Sequence, residues 1–174
     1  LAITTQPSNV VSGAPITPAV GVAVRDEFGN ATAATSAVTI AIGTNPSGGT
    51  LHGTLTQNAV NGAVAFGDLS IDLTGTGYTL TATTSGLTSA TTNAFNVTAS
   101  AAAAIAIQSG NTQTGTVGAA LAPFVVKVTD AGNNAVAGAT VTWVGTNGTF
   151  TAATTTTAAD GTTSNRMTLA HTPG

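Results

Sequence analysis

Val20 to Asn30 reads VGVAVRDEFGN, and Phe124 to Asn133 reads FVVKVTDAGN. Both are alternating apolar strands that run into an Asp/Gly/Asn turn. Val24 and Val128 stand at the same place before their turns, 104 positions apart, and the same offset carries Leu1 onto Ile105 and Ile3 onto Ile107. A repeat of that size is a whole domain, far longer than one coil of a solenoid. The chain therefore reads as a duplication, with a first domain over 1–100 and a second over 103–174.

Side-chain alternation assigns faces. Val20, Val22 and Val24 share one parity and are expected to face a core, with Gly21, Ala23 and Arg25 outward; Phe124, Val126 and Val128 repeat the pattern. Period-2 runs recur every 8 to 15 residues between Gly, Pro, Asn or Ser breaks, and helical spacing is absent. In the first copy strands are expected at Ala2–Thr5, Ala19–Arg25, Ala37–Ile42, Gly49–Leu55, Ala63–Phe66, Gly77–Thr84 and Ala94–Thr98. Seven short strands in one domain is the count of an immunoglobulin-like sandwich, so the expected class is all-β, with two tandem immunoglobulin-like β-sandwich domains.

The second copy continues through Ala139–Val144, Gly148–Phe150 and Thr162–Leu169. It has no counterpart to the segment Thr76 to Thr98, which in the first copy sends Tyr78, Leu80, Ala82, Phe95 and Val97 toward the core. The second sandwich is thus expected to lack its last strands within this chain, and 103–174 is not expected to fold alone. Strands from elsewhere would fill the gap, either from the same polypeptide beyond Gly174 or from a neighbouring subunit. Between the copies, ASAAAA at Ala99 to Ala104 lacks the Gly and Pro of a loose tether, which predicts a short, stiff junction and an end-to-end rod.

Composition narrows the function. Hydrophobic residues make up 42% and charged residues only 5% of the chain, against roughly a quarter charged in ordinary soluble domains. Thr, roughly one residue in five, supplies a polar surface without ions. A net charge of −3 with three Lys and Arg in total leaves no basic face for nucleic acid. Cys is absent, removing disulfides and thiolate chemistry. The longest apolar run, Ala101 to Ile107, is far shorter than a membrane-spanning helix, and the aromatics (Phe28, Phe66, Tyr78, Phe95, Phe124, Trp143 and Phe150) read as scattered core plugs rather than the girdles of a membrane barrel. No membrane insertion is expected.

Val126 to Trp143, V-x-V-T-D-A-G-N-N-A-V-A-G-A-T-V-T-W, followed by T-x3-D-G-T-T-S-N-R-M-T-L from Thr156, resembles the bacterial immunoglobulin-like repeats of the invasin and intimin type. The first copy, with TTQPS at Thr4 to Ser8, DEFGN at Asp26 to Asn30 and GTGYTLTA at Gly75 to Ala82, resembles related repeats in long bacterial surface proteins. After Asp130 the AGN turn is one residue shorter than the family's common pattern, and Asn134-Ala135 stands in its usual Pro region. The resemblance implies a stalk, adhesin or extracellular filament segment at the cell surface, with neighbouring repeats or subunits of the same protein as partners.

Candidate sites are weak. Asp26 and Asp130, with Asn30 and Asn133, offer oxygens for calcium or, more simply, Asx turns. Asp68 and Asp72 are either a second oxygen cluster or solvated loop acids. Lys127, the one lysine, has outward parity, against an internal crosslink. His52 and His171 lie in different copies, and no Gly-x-Ser-x-Gly elbow accompanies them, so no catalytic, metal or cofactor residue is assigned and no enzyme activity is expected. Asn30, Asn96 and Asn147 open N-x-T sequons but read as turn or strand-end residues, while the Thr154–Thr157 run is a candidate for O-linked sugar. Thr79, Thr81 and Thr83 suggest an ice-binding row, which the 104-residue offset opposes. The competing function is a carbohydrate- or host-surface-binding module, including virion decoration; it would want exposed aromatics, whereas Tyr78 and Trp143 have inward parity.

Overall fold

A computed structural model describes residues 1–171, and the expected end of the second domain at Gly174 lies outside them. The chain separates into two compact units, Leu1–Thr98 and one beginning at Ala99. The fold is all-β, and no helix among the described residues is long and apolar enough to cross a membrane.

The first unit holds β1 (Ala2–Thr5), β2 (Val10–Val11), β3 (Val20–Ala23), β4 (Ala37–Ile42), β5 (Leu51–His52), β6 (Thr56–Asn58) and β7 (Ala63–Phe66). It continues with β8 (Ser70–Ile71), β9 (Gly75–Tyr78), β10 (Leu80–Thr83), β11 (Ala90–Thr91) and β12 (Phe95–Thr98). Their ladders run β1-β3-β7, β11-β10-β4-β6, β2-β12-β9 and β5-β8. Val20, Val22 and Val24 are buried as their parity requires, and they meet Val38, Ile40, Phe66, Tyr78, Leu80, Phe95 and Val97 in one core. Gly21, expected outward, is buried too: the Thr4 and Thr5 side chains lie over it, and a Cβ there would sit 2.6 Å from Thr4 Oγ1.

Two expected strands break because the chain changes sheets inside them. Gly49–Leu55 shrinks to β5, which pairs with β8; the backbone then turns through Gly53, at φ 108°, before β6 joins β4. Gly77–Thr84 divides at Thr79, with β9 pairing β12 and β10 pairing β4. This crossing lets one segment close both sides of the sandwich. Tyr78, Leu80 and Ala82 are fully buried, and the Tyr78 hydroxyl donates to the Leu73 carbonyl at 3.0 Å.

The second unit holds β13 (Ala102–Ser109), β14 (Phe124–Asp130), β15 (Thr140–Thr142), β16 (Gly148–Phe150), β17 (Thr154–Thr156), β18 (Thr162–Asn165) and β19 (Met167–Leu169). The expected strand Thr162–Leu169 also splits between sheets: β18 pairs β14 and β19 pairs β16. Several of its backbone hydrogen bonds match those of the first unit. Ile3 opposes Val22 and Ile107 opposes Val126, and both ladders then slip by one residue, between Ile3 and Thr5 and between Ile107 and Ser109. Ile16 N–H reaches the Leu69 carbonyl as Leu121 N–H reaches that of Met167, and Ile40 N–H reaches Leu55 as Trp143 N–H reaches Ala153. The β1–β3 and β13–β14 ladders thus share one bulge at the offset of 104.

The core of the second unit is much smaller. Val126, Val128 and Val141 are buried, with Val136, Ala139 and Trp143 packed partly against them. Every residue of β13 is exposed, and Ile105 and Ile107 are 58% and 57% exposed, where their equivalents Leu1 and Ile3 pack on the first core. Among the described residues no strand corresponds to β9–β12.

The Gly62 and Gly161 carbonyls accept from the equivalent amides of Val24 and Val128, and both glycines have positive φ, 74° and 76°. With Asn61 at φ 50°, Asn61-Gly62 makes the left-handed pair of a tight hairpin turn. A Cβ on Gly62 would overlap the Thr32 carbonyl oxygen, and on Gly161 it would lie 2.6 Å from the Val128 carbonyl oxygen. Gly62→Ala is expected to destabilise the first unit by more than about 2 kcal/mol, and Gly161→Ala to loosen the second comparably, because strained φ and a backbone clash add; urea melts of each variant check this.

Candidate functional site

The two Asp turns are one device used twice. Asp26 N–H donates to the Asn30 carbonyl at 3.1 Å and Asp130 N–H to that of Asn134 at 2.9 Å; Gly29 and Asn133 N–H return to the Asp26 and Asp130 carbonyls. The turns are therefore equally long, and the equivalent of Asn30 is Asn134, not Asn133. Asn133, at φ 67°, fills the left-handed position that Gly29 holds at φ 84°. Asn tolerates that region better than other non-Gly residues, which is why the swap keeps the turn.

The Asp26 carboxylate accepts from the backbone of Phe28 and Asn30 and from the Asn30 amide at 2.8–3.0 Å. Asp130 accepts from the backbone of Gly132 and Asn134 and from the Asn134 amide, and its Oδ2 also takes the Ser100 N–H at 3.0 Å and the Ser100 hydroxyl at 3.2 Å. Asp130 is only 3% exposed, so this set of donors compensates a buried carboxylate. These are Asx turns, whose oxygens face N–H and O–H groups. The Ser100 bond fixes the residue just before β13 to the second unit, a contact the sequence reading missed because the two residues are 30 positions apart.

Asp68 and Asp72 are not one cluster. Asp68 Oδ2 accepts from Thr54 N–H and hydroxyl at 2.9 and 2.7 Å, while Asp72 Oδ1 accepts from Thr50 N–H at 2.7 Å. They pin the two ends of the β5 segment. His52 Nε2 stands 3.6 Å from Asp72 Oδ2, both half-exposed, which ties β5 to the residue after β8. His171 follows β19 in the other unit. No group of three His, Cys, Asp or Glu side chains spaced for a metal occurs among the described residues.

The aromatics divide in a way that parity did not show. Phe66, Tyr78 and Phe95 are buried in the first unit. Trp143 is half-buried against Phe150, ring centroids 5.3 Å apart, and Phe150 meets Phe124 edge-on at 5.7 Å. Phe28, expected among the core plugs, is 80% exposed because it occupies the tip of the Asp26 turn, where no second sheet can reach it. Lys127 has outward parity and pairs across the sheet with Ala106 and Thr162.

In the Thr154–Thr157 run, Thr155 Oγ1 accepts the Trp143 indole N–H at 2.8 Å, and Thr157, 6% exposed, donates to the Val136 carbonyl. Only Thr154 and Thr156 keep exposed positions for a sugar. Of the sequon residues, Asn30 serves its turn, Asn96 lies in β12 and accepts from Gly77 N–H, and Asn147 is exposed before β16. Thr79, Thr81 and Thr83 do not form one row: Thr79 binds Thr44 N–H, while Thr81 pairs across strands with Thr91 at 3.1 Å.

Hydrogen bonding holds four carboxyls below the ordinary Asp value of 3.8: Asp26 chiefly through the Asn30 amide, Asp68 through the Thr54 hydroxyl, Asp72 through Thr50 N–H and Asp160 through the Thr162 hydroxyl. A depressed folded value contributes stability above the unfolded pKa, and that contribution fades as pH falls through the folded value. The thermal midpoint is expected to hold steady down to about pH 5 and to fall below about pH 4, each solvent-screened group giving a small share. Asp68→Asn should flatten that fall; an acid-independent midpoint would contradict the assignment.

No protein-family model matches the chain, and no curated protein matches it. Among solved structures, the chain is similar to the D0-D1 domain of intimin, at 20% identity and a TM-score of 0.44, over 99% of this chain and 85% of that one. It is also similar to invasin, described as a bacterial integrin-binding protein, at 20% identity and a TM-score of 0.42, over 99% of this chain and 33% of that one.

Proposed function

We propose that the chain is a non-catalytic structural repeat of an extracellular bacterial surface protein, a stalk or adhesin segment or the unit of an extracellular filament, with neighbouring repeats as its partners. The observation that carries this reading is the way the first unit joins its two ends. β2 and β12 run parallel, with Val10 beside Val97 and Val11 beside Thr98, so a segment near the start of the unit is laced to its last strand. Ser12 N–H to the Thr98 carbonyl at 2.8 Å and Asn96 N–H to Asn9 Oδ1 at 2.8 Å extend the lacing. Tension applied at the two chain ends shears a parallel pair, loading its hydrogen bonds together rather than peeling them one by one. That suits a load-bearing link.

The surface supports the same reading. Uncharged Thr pairs such as Thr39 with Thr56 and Thr81 with Thr91 coat the outer face of the β11-β10-β4-β6 sheet, which leaves it polar without an electrostatic address for an ionic ligand. The motifs shared with invasin- and intimin-type repeats agree with a place at the cell surface.

The second reading, a binding module for carbohydrate or a host surface, has one observation in its favour: Phe28 on its exposed turn, a ring free to stack on a sugar.

Single-molecule pulling on the whole chain tests the proposal. The first unit, Leu1–Thr98, should release about 300 Å of contour in one step, at roughly 3.4 Å per residue. Ala14 N–H closes a turn onto the Val11 carbonyl with Gly13 at φ 74°, so Ser12→Pro fits the turn and removes the Ser12 donor to Thr98. It should lower the unfolding force with little effect on the thermal midpoint. Equal forces in both proteins, or saturable glycan-array binding abolished by Phe28→Ala, would favour the binding module.

A further inference from the structure

Two Asn-Gly pairs occur in the chain, Asn61-Gly62 and Asn147-Gly148. An Asn side-chain amide followed by glycine is open to attack by the glycine's own backbone nitrogen, because no Cβ shields that nitrogen. The attack requires the nitrogen to shed its proton and swing toward the Asn side-chain carbon, so a backbone hydrogen bond that holds the N–H suppresses it. Both Asn residues are exposed, and what separates the two pairs is the backbone behind them. Gly62 N–H donates to the Ala34 carbonyl at 2.9 Å, its carbonyl accepts from Val24, and the residue is buried against the Thr32 carbonyl. That nitrogen is held in place. At Gly148 the register works the other way. Ala170 N–H reaches the Asn147 carbonyl at 3.0 Å and Gly148 stands opposite Leu169, which makes these two a non-hydrogen-bonded pair and turns Gly148 N–H away from β19. Among the described residues it meets no acceptor. Glycine is also required there, since a Cβ would overlap the Thr168 carbonyl oxygen. The packing of β16 on β19 thus demands the residue that leaves Asn147 unshielded. The counterpart of Asn147 in the first unit is Thr50, because Leu51–Ile71 matches Gly148–Leu169, and Thr50 is exposed although that unit's core is covered.

We propose that Asn147-Gly148 is a self-modification site, at which the folded chain converts the Asn147 amide to a carboxylate without an enzyme. The Gly148 nitrogen gives its proton to solvent base and bonds to Asn147 Cγ. The Cγ–Nδ2 bond breaks, and ammonia leaves with a proton from water, which closes a cyclic imide. Water then adds to either imide carbonyl and opens the ring, giving an aspartate or an isoaspartate whose main chain runs through the former side chain. Nothing is oxidised or reduced; one water enters and one ammonia departs. The product adds one negative charge to the chain's net −3. The isoaspartate also inserts a main-chain methylene directly before β16 and displaces the carbonyl that Ala170 N–H uses. β16 carries Phe150, whose ring packs on Trp143 at 5.3 Å, so the change loosens the aromatic contact of the second unit. The site is a property of the fold and does not rest on the repeat reading.

The 174-residue chain is incubated in its folded state at mildly acidic and mildly alkaline pH and sampled by isoelectric focusing and by peptide mass mapping with fragmentation. The expected result is an acidic species that accumulates several-fold faster in the alkaline sample. The mass gain of amide-to-acid exchange should fall on Asn147, while Asn61 keeps its amide. In denaturant, where the bond from Gly62 to Ala34 is gone, the two sites should react at similar rates. Asn147→Gln, whose longer side chain closes the ring far less readily, should remove the acidic species while the circular dichroism spectrum stays unchanged. Equal reaction at Asn61 and Asn147 in the folded chain, no acidic species in alkali, or an undiminished acidic species in the Gln variant would overturn the proposal.

Discussion

A sheet with one apolar face is stable only when something covers that face, and the first unit meets this requirement with a single segment. Gly75–Thr98 places β9 and β12 in one sheet and β10 and β11 in the other, crossing between them at Thr79 and again before β12. Tyr78, Leu80, Phe95 and Val97, all buried, come from this segment. At roughly 1.5 to 3 kcal/mol for each large apolar side chain removed from water, they contribute as much as the whole net stability of a typical domain. In the second unit, where the described residues hold no such segment, Ile105 and Ile107 stand in solvent and the buried apolar set shrinks to Leu121 and a cluster of three valines. The contrast between the units follows from this absence more than from any difference in the strands they share.

The Asp turn shows how the shared plan adapts. Asp26 holds an exposed turn with its own neighbours; Asp130, in the same geometry, is buried and also grips Ser100. Ser100 precedes β13, so the carboxylate that shapes one turn also sets where the second unit begins. A residue marked by motif as a candidate ligand thereby serves as a structural clamp.

Much of the architecture was legible because alternation is a local property. Ala2–Thr5, Ala37–Ile42, Ala63–Phe66 and Gly148–Phe150 coincide with observed strands, and the core residues follow parity. Sheet switching was not legible. Gly49–Leu55, Gly77–Thr84 and Thr162–Leu169 each read as one strand, yet each serves two sheets, which depends on partners distant in sequence. The two-residue strands β2, β8 and β11 carry too few positions for any period to register. At the sites, the Asx turns were readable from Asp and Asn spacing, whereas the exposure of Phe28, the bond from the Trp143 indole to Thr155 and the grip on Ser100 depend on tertiary placement alone.

The two units share ladders but differ in how far their cores are covered, and native-state amide exchange measures that most directly. Amides of β4 and β10 should exchange only through global opening of the first unit, while those of β15 and β13 should exchange orders of magnitude faster through local opening, although their ladders are equivalent. Equal protection of β4 and β15 in the isolated chain would contradict the account.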